Sequence, residues 1–400
     1  MDLNKTSILN NITGANYNPS VVDISKTLGN VLLSGGNGKG QVTFLQNALY
    51  QSLIKQNIPI LIITNKQSSF SQNVDYHKFC NLLNNNKQIW NFDLTNQENT
   101  DSLNPFKEMN YVDSKDFIMD LFSQFSELDK EQYLRFSRYI SSIFKLVDDK
   151  NKLNFNNLLD YEVNLLKVMV NKKVLPDNEK NRILRYLDTA YDDFIMIETY
   201  FDLFIQSGIS NMLSGEKSIA DIMNNEEVAV FKLDQYNSKK SSDTILKAIL
   251  KLILKSIPAV NTFKGALIIL EDIRFEEIND LCSLLKLDKS YQINTVFTVD
   301  DVPTLIRENG NSIIDSCDTC VVFNQNSNEN CIYWSDYFGS YNSFDRSYSY
   351  SMDSSDLVID GMTTRNQVKP IYRPEVFRNL KENEAIVYVK SLKKRRKIKF

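Results

Sequence analysis

The stretch Asn30-Val-Leu-Leu-Ser-Gly35-Gly-Asn-Gly-Lys-Gly40-Gln-Val-Thr-Phe-Leu45 joins an apolar run, a glycine-rich turn and the start of a helical pattern. This is the layout of a phosphate-binding loop, where glycines let the backbone curl until its N–H groups and the next helix N-terminus point at an anion. Gly35 and Gly40 stand at the spacing of the signature G-x-x-x-x-G-K-[ST]. The next two positions depart from it. Gln41 replaces the lysine that reaches the outer phosphates, and Val42 replaces the hydroxyl that binds magnesium. Gly35, Asn37, Gly38, Lys39, Gly40, Gln41, Val42 and Thr43 are therefore the candidate nucleotide contacts, with two of them wrong for the chemistry.

The pattern on either side of the loop fits an α/β sheet. Val31–Ser34 reads as a strand, the loop follows, and a helix is expected from Gln41 to about Gln56. Pro59 then opens Ile60-Leu61-Ile62-Ile63-Thr64, a continuous apolar run suited to a strand buried on both faces. Strand, loop, helix, strand is a βαβ unit, and it places the glycines at the carboxyl end of a parallel strand, where such sheets bind ligands. A short strand is expected at Ser20–Ile24 and another at Gln88–Leu94.

After Phe106 the apolar period becomes helical. Phe117, Leu121 and Phe125 mark one helix, and Asp129 with Gln132 forms a capping box before Phe136, Ile140, Ile143, Phe144 and Val147. Leu158, Leu159, Leu165, Leu166 and Met169 mark another. Asp177 is expected to cap a helix running through Ile183, Leu187 and Tyr191 to about Gln206, stopped by Gly208. Sheet patterning resumes at Val228–Leu233, Ala266–Leu270, Thr295–Val299 and Cys320–Phe323, with a helix at Ser242–Ser256. Residues 335–368, rich in Ser, Tyr, Asp and Asn, read as a mobile loop or an irregular hairpin. Ala385–Lys390 and Arg395–Phe400 read as a closing β-hairpin. The expected organisation is a lead-in over 1–29, a discontinuous α/β domain over 30–107 and 226–400, and an all-α insertion over 108–225.

A chain of 400 residues that is 42% hydrophobic has enough apolar material for two or three domains with real cores. A formal charge of −4 argues against binding nucleic acid through total charge, while a local basic surface or a ring around a channel stays compatible with it. Cys80, Cys282, Cys317, Cys320 and Cys331 fit the free thiols of a reducing compartment; Cys317 and Cys320 lack the second pair that a metal knuckle needs, and His77 stands far away in sequence. No metal site is assigned. The N-terminus lacks a signal-sequence pattern, and the most apolar window, Ile245 to Ile257, is short and carries Lys247, Lys251 and Lys255. The expectation is a cytoplasmic chain with no direct membrane insertion, peripheral to a membrane only through a partner.

A loop ATPase also needs an acid pair at the end of a second buried strand. Ile268-Ile269-Leu270-Glu271-Asp272 stands there with the two acids in reversed order. Glu271 is one methylene too long for a tight octahedral magnesium shell, and Asp272 one methylene shorter than the usual base. The competing reading is two acids that open the next helix. Asp300 and Asp301 follow the strand Thr295–Val299, where a polar amide commonly senses the γ-phosphate. A carboxylate there repels a triphosphate unless protonated or metal-bound, and capping of a helix over Val302–Glu308 is the favoured role. Lys39 and Thr43 are out of register for rescue, because one residue on a helix turns the side chain by about 100°. ATP with magnesium is thus expected to bind weakly or not at all, with little hydrolysis. The basic run Lys393, Lys394, Arg395, Arg396 and Lys397 reads as a lysine-protected strand edge, or alternatively as a nucleic-acid backbone contact.

The order of these parts resembles the type IV secretion coupling proteins of conjugation, the TraG/TraD-like members of the FtsK/HerA group of RecA-like P-loop motors. The resemblance lies in the loop, in Ile63-Thr64-Asn65-Lys66 where relatives carry Asp-x-Lys, in Asn104-Pro105-Phe106, in the helical insertion, in Leu270-Glu271-Asp272, in Ile293 to Val299 and in the closing hairpin. It implies a RecA-like nucleotide-binding domain with an inserted all-α domain, assembly into a homo- or hetero-oligomeric ring, and recruitment of DNA or protein substrate to secretion-channel or membrane-anchored partners. Asp113–Gly208 would then recognise substrate complexes. Gln41, Val42, Glu271-Asp272 and Asp300 depart from the family at three separate parts of one active site, which implies a coupling-protein-like component with impaired catalysis. The alternatives are a working ATP-driven translocase using Lys39 and Thr43, and a stand-alone binding module on a RecA-like scaffold.

Overall fold

The computed structural model describes residues 29–36, 38–45, 58–65, 88–94, 96, 98–125, 128–147, 153–260, 265–274, 279–286, 291–353 and 356–399. The expected strand at Ser20–Ile24, the helix beyond Leu45, Asn37, His77 and Cys80 lie outside these residues.

Seven parallel strands form the body of a sheet: β1 (Asn30–Ser34), β2 (Ile60–Asn65), β3 (Ile89–Asp93), β4 (Val228–Leu233), β5 (Ala266–Glu271), β6 (Ile293–Val299) and β7 (Cys317–Val322). Two more, β8 (Ser340–Asp353) and β9 (Asp356–Pro370), make a separate antiparallel ribbon. The closing hairpin, β10 (Glu384–Val389) and β11 (Lys394–Lys399), adds antiparallel to β7. The sheet order is β11-β10-β7-β1-β6-β5-β2-β4-β3, so β1 is central. Its neighbours come from the far end of the chain: Leu32 sits opposite Phe297 of β6 and Cys320 of β7.

The continuous apolar strands follow from coverage on both faces. Alternate residues feed two cores, with Leu32, Leu61, Ile63, Ile268 and Leu270 on one face and Val31, Leu33, Ile60, Ile62 and Ile269 on the other. Phe44 and Leu45, from the helical turn 41–45, belong to the second core, which anchors the segment after the glycines to the sheet.

Between β3 and β4 come α1 (Tyr111–Phe125), α2 (Lys130–Leu146), α3 (Val163–Lys172), α4 (Asp177–Leu187), α5 (Tyr191–Gln206), α6 (Ile209–Met212) and α7 (Ile219–Asn224). The capping box is present: Asp129 accepts from the Gln132 N–H, and the Gln132 side chain accepts from the Asp129 N–H. Two expectations need correction. Leu158–Met169 is divided into a 3-10 turn, Asn156–Asp160, and α3. The helix expected from Asp177 to Gln206 is two helices, with Pro176 rather than Asp177 at the cap position. The break lies at 188–190, where Thr189 turns its N–H and hydroxyl back to the Tyr186 carbonyl and ends α4. Periodicity does not register such a break, because apolar spacing continues across it.

The helical segment is clasped at its neck. Leu103 and Lys217 pair in an isolated parallel bridge, Leu103 N–H donates to the Met212 carbonyl at 2.7 Å, and Asn104 N–H donates to that of Lys217 at 2.7 Å. Asn104 also donates through Nδ2 to the Leu153 carbonyl and accepts from the Phe106 N–H. The polar residue of the Asn-Pro-Phe segment thus satisfies backbone groups where the chain leaves the sheet. Beyond the neck, aromatic rings fill the core: Phe122 lies 5.4–5.8 Å from the rings of Phe136, Tyr200, Phe201 and Phe204.

After β4 follow α8 (Lys239–Ser256), α9 (Asn279–Leu285), α10 (Val302–Asn309), α11 (Ser312–Asp315), α12 (Asn328–Phe338) and α13 (Pro374–Arg378). Of the two expectations for 335–368, a mobile loop or an irregular hairpin, the structure takes the hairpin: the segment is the end of α12 and the β8–β9 ribbon, with a register shift at Ser349/Tyr350. Among its many serines Tyr341, Phe344 and Tyr348 supply strand-favouring aromatics. Because Phe122 is fully buried, Phe122→Ala should lower unfolding stability by about 3–5 kcal/mol in denaturant titration. Asp129→Ala, which removes only a cap, should cost about 1 kcal/mol.

Candidate nucleotide-binding site

Ser34 closes β1 in a fully buried position, and its hydroxyl accepts from Trp334 Nε1 at 3.0 Å and Gln325 Nε2 at 3.3 Å. The loop then leaves the sheet under tight control. Gly35 N–H donates to the Val299 carbonyl and Gly36 N–H to the Asn324 carbonyl, both at 3.3 Å. Gly38 and Gly40 have φ of 77° and 115°, in the region that favours glycine. At Gly40 a side chain would also meet Asn383 Oδ1 at 3.0 Å, and the Asn383 N–H donates to the Lys39 carbonyl. The start of the closing hairpin thus braces the loop, a contact that sequence spacing does not reveal.

Gln41 takes a role of its own. It is 6% exposed, and its Nε2 donates to the Gly35 carbonyl at 2.8 Å. The side chain at the lysine position therefore ties the end of the loop to its beginning. Lys39, Val42 and Thr43 are half-buried.

The acids divide into two groups. Glu271 is 5% exposed and accepts from the Thr64 hydroxyl at 2.6 Å, so one carboxylate oxygen is engaged by the neighbouring strand. Asp272 has φ of 53°, its N–H donates to Thr298 Oγ1 at 2.8 Å, and its carbonyl accepts from Asn65 Nδ2. Asp272 lies in a bend, and the next helix, α9, is described from Asn279. The Asp272 carboxylate faces the Tyr236 hydroxyl at 3.4 Å, and the Arg274 guanidinium lies over the Tyr236 ring at 4.6 Å.

Asp300 and Asp301 also separate, which corrects the expectation that both cap. Asp301 caps α10, accepting from the Thr304 hydroxyl at 2.7 Å. Asp300 instead joins Asp272, Tyr236, Arg274 and Thr298 around a cavity of about 280 Å³. Burial of its carboxyl, then the neighbouring Asp272 and Asp301, push the Asp300 pKa up to about 6. Burial likewise raises that of Asp272, against the opposing pull of Tyr236 and Arg274. Since Gly35 is bonded to the carbonyl just before Asp300, this acidic cavity adjoins the glycine loop.

Amides link the strand ends. Gln235, 2% exposed, donates its N–H to Asn65 Oδ1, accepts at Oε1 from the Arg274 N–H, and donates Nε2 to Asp243 at 2.7 Å. Asn65 was visible in sequence only as a place in a pattern, and Gln235, Tyr236 and Arg274 carried no signal, because three different strands bring them together. The residues present do not fit magnesium ATP in the usual way: position 42 has no hydroxyl, Gln41 is turned into the loop, and Glu271 is bonded to Thr64.

The basic run lies elsewhere. Lys394, Arg395, Arg396 and Lys397 belong to β11 at the sheet edge, three places from β1, and Lys393 forms the preceding turn with φ of 52°. Lys397 pairs with Glu384 at 2.9 Å and Arg395 covers the Tyr388 ring. Cys317 and Cys320 are buried free thiols, and burial raises that of Cys320 to about 11, so neither is a ready thiolate.

The fold is of the RecA-like P-loop type, a mostly parallel nine-stranded sheet with helices and an all-helical segment between β3 and β4. Among solved structures it resembles the bacterial conjugative coupling protein TrwBdeltaN70 in complex with sulphate, at 13% identity and a TM-score of 0.61, over 98% of this chain and 92% of that one. It also resembles the plasmid coupling protein TrwB in complex with ADP and Mg2+, at 13% identity and a TM-score of 0.57, over 92% and 84%. VirB4 of Thermoanaerobacter pseudethanolicus matches at 11% identity and a TM-score of 0.53, over 93% and 89%. No family model and no curated protein matches the sequence.

A carboxyl whose pKa is raised on folding stabilises the folded state least above that raised value. Asp300→Asn should therefore raise stability at pH 7 by about 1 kcal/mol after solvent screening. The gain should shrink as pH falls from about 6 towards the ordinary carboxylate value of 3.8, as thermal melts across that range will read.

Proposed function

We propose that this chain is a coupling-protein-like component of a type IV secretion or conjugation-type system, which docks DNA or protein substrate and hydrolyses ATP slowly or not at all. The observation that carries the reading is the Gln41 side chain bonded to the Gly35 carbonyl. A lysine there would place a cation against the outer phosphates, and the amide supplies none. Two further observations support it. The open acids, Asp272 and Asp300, face one cavity beside the loop, where their like charge opposes a triphosphate. Glu271 is bonded to Thr64 rather than open to a magnesium shell.

In this reading residues 30–107 with 226–400 act as a scaffold of RecA-like type, and 108–225 form the substrate-facing part. The chain works in a homo- or hetero-oligomeric ring beside secretion-channel or membrane-anchored partners, on the cytoplasmic side. No helix of the described residues is long and apolar enough to cross a membrane.

Calorimetric titration with Mg-ATP and with a non-hydrolysable analogue should show no binding tighter than about 1 mM. The double variant Gln41→Lys, Val42→Thr should tighten binding at least about tenfold, a gain of ~1.4 kcal/mol. A steady ATPase activity of the unaltered chain that Gln41→Ala or Glu271→Gln abolishes would overturn the proposal.

A further inference from the structure

A groove of about 640 Å³ lies between α2 and α4 on the helical segment. Arg138, Ser141 and Lys145 fall at i, i+3 and i+7 on α2, while Arg182, Arg185 and Thr189 repeat that spacing along α4 and its end. Helical geometry puts each set on one stripe, and the two stripes face each other.

Of the four cations lining the groove, only one has an ion-pair partner among the described residues. Lys145 is held by Glu179 at 3.0 Å. Arg138, Arg182 and Arg185 form no salt bridge with any acid among the described residues, and Arg182 acts on Glu179 only at longer range. Asp193, the acid beside this wall, is taken by Arg135 at 2.5 Å and by the Tyr186 hydroxyl at 2.9 Å. Ser141 and Ser142 donate their hydroxyls to helix carbonyls four residues earlier, so the guanidiniums are the charged donors that the groove offers an anion.

We propose that this groove binds a short acidic peptide segment, a run of Asp or Glu side chains on a protein substrate or partner. The proposal rests on the reading of 108–225 as the substrate-facing part. Three like charges in one groove repel one another, and carboxylates relieve the repulsion by pairing with the planar guanidinium fork. The surroundings favour a peptide over nucleic acid. Acidic residues outnumber basic ones over 108–225, so a polyanion extending past the groove meets repulsion. Tyr111 and Tyr186 are the only aromatic residues lining the groove among the described residues, and the Tyr186 hydroxyl is committed to Asp193, so base stacking has little platform. A short acidic segment stays within the cationic walls.

The test uses the full chain without nucleotide and a fluorescein-labelled hexaglutamate peptide, read by fluorescence anisotropy. Saturable binding is expected, weakening as salt rises towards about 0.5 M. The triple variant Arg138→Gln, Arg182→Gln, Arg185→Gln should lose at least about tenfold in affinity, with the corresponding lysine variant in between. Should the triple variant melt early, Arg182→Gln alone, at an exposed site, carries the comparison. Lys393→Gln with Arg396→Gln, on the sheet edge, should change nothing. Absence of saturable binding, equal binding by the arginine variants, or tighter arginine-dependent binding of a single-stranded oligonucleotide overturns the proposal. The readout needs no ATP, so its failure leaves the reading of the glycine loop standing, and an active ATPase would leave a positive result standing.

Discussion

The pairing of β1 between β6 and β7 is the constraint on which the rest depends. A strand buried on both faces and hydrogen-bonded on both edges can end in only one place, and here Gly35 emerges beside Val299 and Asn324. Every group that matters to the candidate site, from the glycine turn to Asp272 and Asp300, is positioned by where a parallel strand stops. The turn itself is braced from a distance, since Asn383 closes on Lys39 and Gly40 across more than three hundred residues of chain.

At that edge of the sheet the side chains are mostly polar and acidic. A phosphate-transferring site concentrates positive charge where negative charge develops. Here Gln41 satisfies a backbone carbonyl, Glu271 satisfies a threonine, and Asn65 with Gln235 knits three strand ends through neutral amides. Such a network rigidifies the edge without stabilising a triphosphate, because nearly every donor is already committed to the protein. Of the two carboxyls left facing the cavity, the pKa of Asp272 is raised by burial, and that of Asp300 by burial and by the charge of Asp272; where both are ionised, their like charge opposes a polyanion.

The helical segment is attached through a narrow neck of backbone bonds between Leu103, Asn104, Met212, Gly215 and Lys217. Its interior is dominated by aromatic rings in edge contact, and its surface carries the cations gathered between α2 and α4. The two parts share one apolar cluster across the sheet face, which ties the placement of that groove to the scaffold.

The sequence by itself determined the strands and their direction, because runs such as Ile60–Thr64 and Ala266–Leu270 carry enough apolar surface to demand cover on both faces. It also determined the glycine turn, the capping box at Asp129 and the loss of the loop lysine, all of which are local in the chain. It missed the break between α4 and α5, where the apolar period runs on, and it left the β8–β9 ribbon open between a loop and an irregular hairpin because the composition there is polar. The site beyond the loop was decided only by the tertiary structure. Which acid faces the cavity, what Gln41 bonds to, how Asn383 braces Gly40 and how three arginines come to share a groove all depend on strand order and helix facing. Those contacts join residues tens to hundreds of positions apart, and local spacing carries no record of them.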